Sequence, residues 1–204
     1  MKILDCTLRD GGYYNKWDFE QDTVSRYLKA VRASLVDVVE LGFRSLPKNT
    51  FMGPFAYTTD EFINQLDLPE GPIYGVMING SEFIGNSEGR NPAINKVFQI
   101  ENNSPVSLVR IAINFNHVLE SEEIAKQLKD MGYLVGLNMM KSHGKSERDY
   151  IETAKNISTW NAVDVLYFAD SLGNMIPKDV QTICQHLKKG WTGALGIHTH
   201  NNKN

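Results

Sequence analysis

Residues 134–169 read LVGLNMMKSHGKSERDYIETAKNISTWNAVDVLYFA, and this stretch decides the fold. Leu134 to Met140 is an apolar run of strand length. Ser146 to Ile157 then carries a helical pattern, and Val163 to Ala169 is a second apolar run. A strand, a helix and a strand in succession form a βαβ unit, whose strands run parallel because a helical crossover joins them. The same alternation continues outward in both directions. On the C-terminal side, Pro177 to Lys189 is predicted helical, with Ile183 and Leu187 on one face. Lys188 and Lys189 occupy its last turn and Gly190 stops it, and Ala194 to Ile197 follows as a strand. On the N-terminal side, Ser121 reads as the N-cap of a helix through Ile124, Leu128 and Met131, ended by Gly132.

Further back, Leu108 to Ile113 is a strand and Asn91 to Ile100 a helix with Pro92 in its first turn. Ile73 to Ile78 and Val36 to Leu41 are strands, separated by a short helix over Thr59 to Leu66. Phe19 to Ser34 places Val24, Tyr27, Leu28 and Val31 on one helical face, and Ile3 to Asp5 is a brief first strand. Seven strands alternating with helices make an α/β chain with a parallel sheet. An open doubly wound sheet and a (β/α)8 TIM barrel both satisfy the pattern. The turn glycines Gly11 and Gly12 lack the G-x-G-x-x-G spacing of a dinucleotide binder, and polar residues gather after the strands, so the barrel is preferred. A complete barrel takes about 250 residues. The expectation is therefore one catalytic barrel domain over residues 1–204 that stops before helix 7 and strand 8, as the N-terminal portion of a longer protein.

The 204 residues include 21 Lys and Arg against 24 Asp and Glu, a net charge of −3, and 42% are hydrophobic. That is too apolar for a disordered chain and too acidic for nucleic acid as the main partner. No run is long enough to span a membrane, and the start MKILDCTLRDGG lacks the apolar core of a secretory signal. Cys6 and Cys184 give neither a disulfide framework nor metal spacing, and read as reduced thiols of a cytoplasmic protein.

His198-Thr199-His200 is the sharpest local motif. Residues i and i+2 of a strand face the same side, so both imidazoles project together and can take a divalent cation if a carboxylate joins them. Asp10, in Leu8-Arg9-Asp10-Gly11-Gly12, is the candidate carboxylate. Its neighbour Arg9 is the candidate for stabilising charge on an oxygen. Glu40 is an acid inside the apolar run Val38-Val39-Glu40-Leu41 and requires a partner, for which Arg9 and Arg44 are the candidates. Asp170 ends the sixth strand in the same fashion.

LDCTLRDGGYYN, VVELGF, VGLNMMKSHG, FADSLGNMIP and GIHTHNN, in this order, resemble the DRE-TIM metallolyase (HMG-CoA lyase-like) superfamily, and most of all its 4-hydroxy-2-oxovalerate aldolase branch. The resemblance implies a TIM barrel that makes or breaks a C–C bond of a 2-oxo acid through a metal-bound enolate. It implies Mg²⁺ or Mn²⁺ on Asp10, His198 and His200, with Arg9 on the enolate oxygen and Glu40 orienting Arg9. Asn201, Asp170, Ser142 and Arg44 fall to substrate binding or to support of the metal ligands. The aldolases carry a proton-transferring histidine three residues after the motif aspartate; here that position is Tyr13, and Lys141 interrupts the Met-Met-Ser-His order. His117 and His143 are the alternative bases, and His186 reads as a solvent-facing helical residue. A homodimer and an aldehyde dehydrogenase partner go with the resemblance. An acyl-CoA-dependent Claisen enzyme and a catalytically impaired metal-binding barrel acting as a partner protein are the competing readings.

Overall fold

A computed structural model of the protein describes residues 1–200. The chain packs as two compact units, one of Met1–Arg110 with Met131–Tyr133, the other of Ile111–Asp130 with the chain from Leu134 onward. The strands are β1 (Leu4–Asp5), β2 (Val38–Phe43), β3 (Ile73–Asn79), β4 (Leu108–Asn114), β5 (Leu134–Met140), β6 (Val165–Ala169) and β7 (Ala194–His198). They are ordered in the sheet as in the chain. Pairing is parallel from β1 to β2, β2 to β3, β5 to β6 and β6 to β7. This is the strand succession of a TIM barrel through its seventh strand, as the βα alternation predicts.

In the first unit, α1 (Thr7–Gly11) follows β1 directly, and α2 (Gln21–Ala33) buries Val24, Leu28 and Val31 as the periodicity requires. After β2 come α3 (Asp60–Ile63), then β3, α4 (Gly80–Ile84) and α5 (Arg90–Val97). The predicted helices there are longer than the observed ones, because Thr59 caps α3 but only one turn follows it. Two short helices, α1 and α4, are absent from the sequence reading, since five residues show no 3.6-residue period.

The glycine pair does not form a turn. Gly11 and Gly12 have φ of −64° and −62° and continue the helical backbone. Gly12 is glycine for another reason: a Cβ there would lie 2.0 Å from the Trp17 ring. Close packing rather than backbone freedom fixes that residue.

In the second unit, α6 (Glu122–Asp130) buries Ile124, Ala125 and Leu128, α7 (Glu147–Thr159) buries Tyr150, Ala154 and Ile157, and α8 (Pro177–Leu187) buries Ile183 and Leu187. Ser146 caps α7 in a reciprocal box with Asp149, which pins the start of the helix where the sequence predicts it. Ser121 is not the cap of α6. It closes a 3₁₀ segment, Phe115–Ser121, and its buried hydroxyl donates back to the Val118 carbonyl at 2.6 Å. Among the described residues no helix is long and apolar enough to cross a membrane.

Candidate active site

The first unit gathers three charged side chains around the Glu40 carboxylate. Glu40 lies on β2 with no exposed surface, and Arg9 on α1 is 5% exposed. Arg9 Nε donates to Glu40 Oε1 at 2.7 Å, and Arg9 NH1 donates to Asp10 Oδ1 at 2.6 Å. The second Glu40 oxygen accepts from Arg110 NH1 at 2.9 Å, and Arg110 on β4 is itself buried. Arg9, Arg110, Glu40 and Asp10 sum to zero charge, which is what makes so much ionisation tolerable at this burial. Burial alone works against the Arg9 charge; Glu40 first, then Cys6 and Asp10, more than reverse it and hold the guanidinium protonated. Trp17 fixes the backbone beneath, its Nε1 donating to the Arg9 carbonyl at 2.8 Å. The Arg9 guanidinium also lies over the Phe43 ring, 5.7 Å from its centroid.

Of the two partners considered for Glu40, the structure selects Arg9. Arg44 belongs elsewhere. Its fork meets the Thr58 carbonyl at 3.1 and 2.9 Å and Asp60 Oδ1 at 2.5 Å, and it stacks on Phe98. Arg110 escaped the sequence reading although its signal equals that of Glu40: a single charge in the apolar run LVRIAIN. Tyr13 is 63% exposed and packs edge-on against Trp17 and Phe43. Loss of surrounding water chiefly raises its phenol above the ordinary value, so it stays neutral at physiological pH. Burial likewise pushes the Cys6 thiol up to about 11.

The second unit carries the histidines. His198 ends β7 and His200 follows, and their Nε2 atoms are 3.3 Å apart with the rings edge-to-face. His200 Nδ1 lies 2.6 Å from the backbone carbonyl of Asp170. A carbonyl oxygen only accepts, so Nδ1 carries a proton, which leaves Nε2 as the nitrogen available to a metal ion. The Nε2 separation is close to the roughly 3 Å between adjacent ligands on a cation with bonds of about 2.1 Å. The pair therefore fits a divalent ion. Asp170 builds this arrangement through its backbone, since its N–H also donates to the His198 carbonyl at 2.9 Å. Its buried carboxylate accepts from the N–H groups of Asn174 and Met175 at 2.9 and 3.2 Å, shaping the loop after β6.

Ser142 is buried, with its hydroxyl on the Met139 carbonyl at 2.5 Å and its own carbonyl accepting from the Tyr150 hydroxyl. Lys141 turns the chain out of β5 with φ of 53°. His143 Nδ1 lies 3.1 Å from Asn174 Oδ1 and its Nε2 3.5 Å from Asp179. His117 pairs with Glu120 on the surface. His186 is not fully solvent-facing: its ring tilts against Tyr150, and Nδ1 is buried without a hydrogen-bond partner. Asn201 lies outside the described residues.

No protein-family profile matches the chain. It is 29% identical over 206 residues to a 4-hydroxy-2-oxovalerate aldolase of Pelotomaculum thermopropionicum, covering 99% of this chain. It is 22% identical over 203 residues to an oxaloacetate decarboxylase of Mycobacterium tuberculosis, covering 98% of this chain. The chain spans 57% and 56% of the length of these two relatives. Among solved structures, the N-terminal domain of a "putative aldolase" from Bacteroides vulgatus superposes with a TM-score of 0.85 at 30% identity. That match covers all of this chain and 66% of the other. Hydroxymethylglutaryl-CoA lyase from Pseudomonas aeruginosa shares the fold, with a TM-score of 0.71 at 14% identity over 98% of this chain and 68% of that one. The strand succession and these likenesses together support the DRE-TIM metallolyase superfamily, nearest its 4-hydroxy-2-oxovalerate aldolase branch.

Proposed function

We propose that this chain contributes the catalytic face of a divalent-metal-dependent carbon–carbon lyase acting on a small 2-oxo acid, in the manner of a 4-hydroxy-2-oxovalerate aldolase. The names of the relatives support the substrate class, because 4-hydroxy-2-oxovalerate and oxaloacetate are both 2-oxo acids. Breaking the bond next to the methylene of either leaves the same charge, delocalised onto the keto oxygen. The observation that carries the proposal is Arg9, a buried guanidinium held by Glu40 with its NH1 extended to Asp10.

Asp10, His198 and His200 would hold Mn²⁺ or Mg²⁺. When bound, such a cation supplies Lewis-acid polarisation of the keto oxygen. Arg9 donates to the oxygen on which charge accumulates, and its fixed orientation removes the reorganisation that water would need. Glu40 keeps that guanidinium charged and aimed. The Asp170 carbonyl holds the His200 proton at Nδ1. Tyr13, as a neutral phenol, hydrogen-bonds the substrate oxygen remote from the keto group. The reading carries with it a cytoplasmic setting.

Calorimetric titration with Mn²⁺ tests the ligand set. The wild-type protein binds one equivalent, and Asp10→Asn, His198→Ala and His200→Ala each weaken binding by at least about tenfold. Unchanged affinity in any of the three contradicts the assignment.

A further inference from the structure

Glu40 is shared in an uneven way that calls for a reason. An arginine facing a lone carboxylate closes on it with two parallel N–H···O bonds. Arg9 does not: only its Nε meets Glu40, at 2.7 Å on Oε1, while NH1 reaches Asp10 Oδ1 at 2.6 Å. The oxygen that Arg9 would need for closure, Oε2, accepts from Arg110 NH1 at 2.9 Å. Arg110 and Glu40 each have side chains only 1% exposed. Water therefore has little access to replace either group.

We propose that Arg110 is a positioning residue: by holding Glu40 Oε2 it fixes the plane of the carboxylate whose other oxygen anchors Arg9 Nε, and so keeps the outer half of the Arg9 fork turned towards Asp10 and the substrate oxygen. The inference rests on the 2-oxo acid lyase reading for its catalytic consequence. Its geometric half stands without that reading. Burying two guanidiniums and a carboxylate stabilises the fold little compared with an apolar substitute, so orientation is the better reason for the arrangement. Arg44, equally buried, shows the contrast. Its fork ends on backbone carbonyls and on Asp60.

The test uses Arg110→Met, which matches the aliphatic stem and frees Oε2, and Arg110→Lys, which restores one donor. A crystal structure of Arg110→Met is expected to show the Glu40 carboxylate rotated from its present plane and the Arg9 guanidinium displaced with it by more than about 1 Å, a displacement large enough to matter for catalysis. On a 4-hydroxy-2-oxo acid, kcat falls about 10–100-fold in Arg110→Met with KM within about twofold, and Arg110→Lys recovers most of the loss. If Arg110→Met does not crystallise as a folded protein, Arg110→Leu carries the same two readouts, with the Lys variant again as the rescue. Arg9 unmoved, or kcat unchanged while only the melting temperature drops, overturns the proposal. A wild-type protein that turns over no 2-oxo acid refutes the lyase reading and the catalytic half of this inference. The position of Arg9 in the variant then decides the geometric half.

Discussion

Arg9 divides its guanidinium between two carboxylates, and the chemistry attributed to this protein depends on that division. Replacing Arg9 with Ala should lower turnover about 10²–10³-fold, the effect of losing one preorganised donor to a developing oxyanion. Mn²⁺ affinity should stay within a few-fold, measured by calorimetry on the same preparation, because the proposed ligands are untouched. At this scale the sequence was legible where a charge interrupts an apolar run. Glu40 stands out in VVELGF and its partner was among the two arginines named. Arg110 stands out equally in LVRIAIN, but its link to Glu40 spans 70 positions, and no local pattern encodes a contact at that distance. Arg44, the other candidate partner, pairs elsewhere for the complementary reason. Its nearness in sequence to Glu40 says nothing about Asp60 or Thr58, which take its fork.

Elements were legible in proportion to their length. Strand β5 runs over Leu134–Met140 as predicted, and α7 begins at the Ser146 cap because the box with Asp149 is written in four consecutive residues. The helical turn α1 carries no signal of its own in the sequence, since two glycines outweigh a five-residue period. Its origin lies in packing, and this leads to a prediction. Gly12→Ala keeps a permitted φ of −62° but puts a Cβ 2.0 Å from the Trp17 ring. Chemical denaturation should show a loss of about 1–3 kcal/mol, as for other overpacked sites. Displacing Trp17 should also loosen its bond to the Arg9 carbonyl, so activity falls with stability. By comparison, Ser146→Ala removes the α7 cap and should cost about 1 kcal/mol with activity unchanged. A larger loss in Ser146→Ala than in Gly12→Ala would reverse the argument about which residue is fixed by packing.

For the molecule as a whole, the pH dependence of stability follows from groups that the fold keeps neutral. Burial raises the Cys6 thiol from 9.0 to about 11, and burial with the hydrogen bond to Asp5 raises the Tyr27 phenol. For both, the folded state favours the protonated form. Their stabilising contribution is complete below the unfolded values and is lost as pH rises, for Cys6 between about 9 and 11. Denaturation midpoints should therefore fall through that window. Cys6→Ala should flatten this part of the curve; a midpoint that stays level to pH 11 would contradict the burial of these groups.

The proposed function requires the protein to stabilise the charge left on a 2-oxo acid when a bond to its methylene or methyl carbon breaks. Proton NMR of pyruvate in D₂O, with the protein and Mn²⁺, measures that capacity without assuming any particular cleavage substrate. The methyl signal should decay with the wild-type protein, and its decay should slow about 10²–10³-fold with Arg9→Ala. A methyl signal that persists with the metal-loaded wild-type protein, or that decays equally fast with Arg9→Ala, would contradict it.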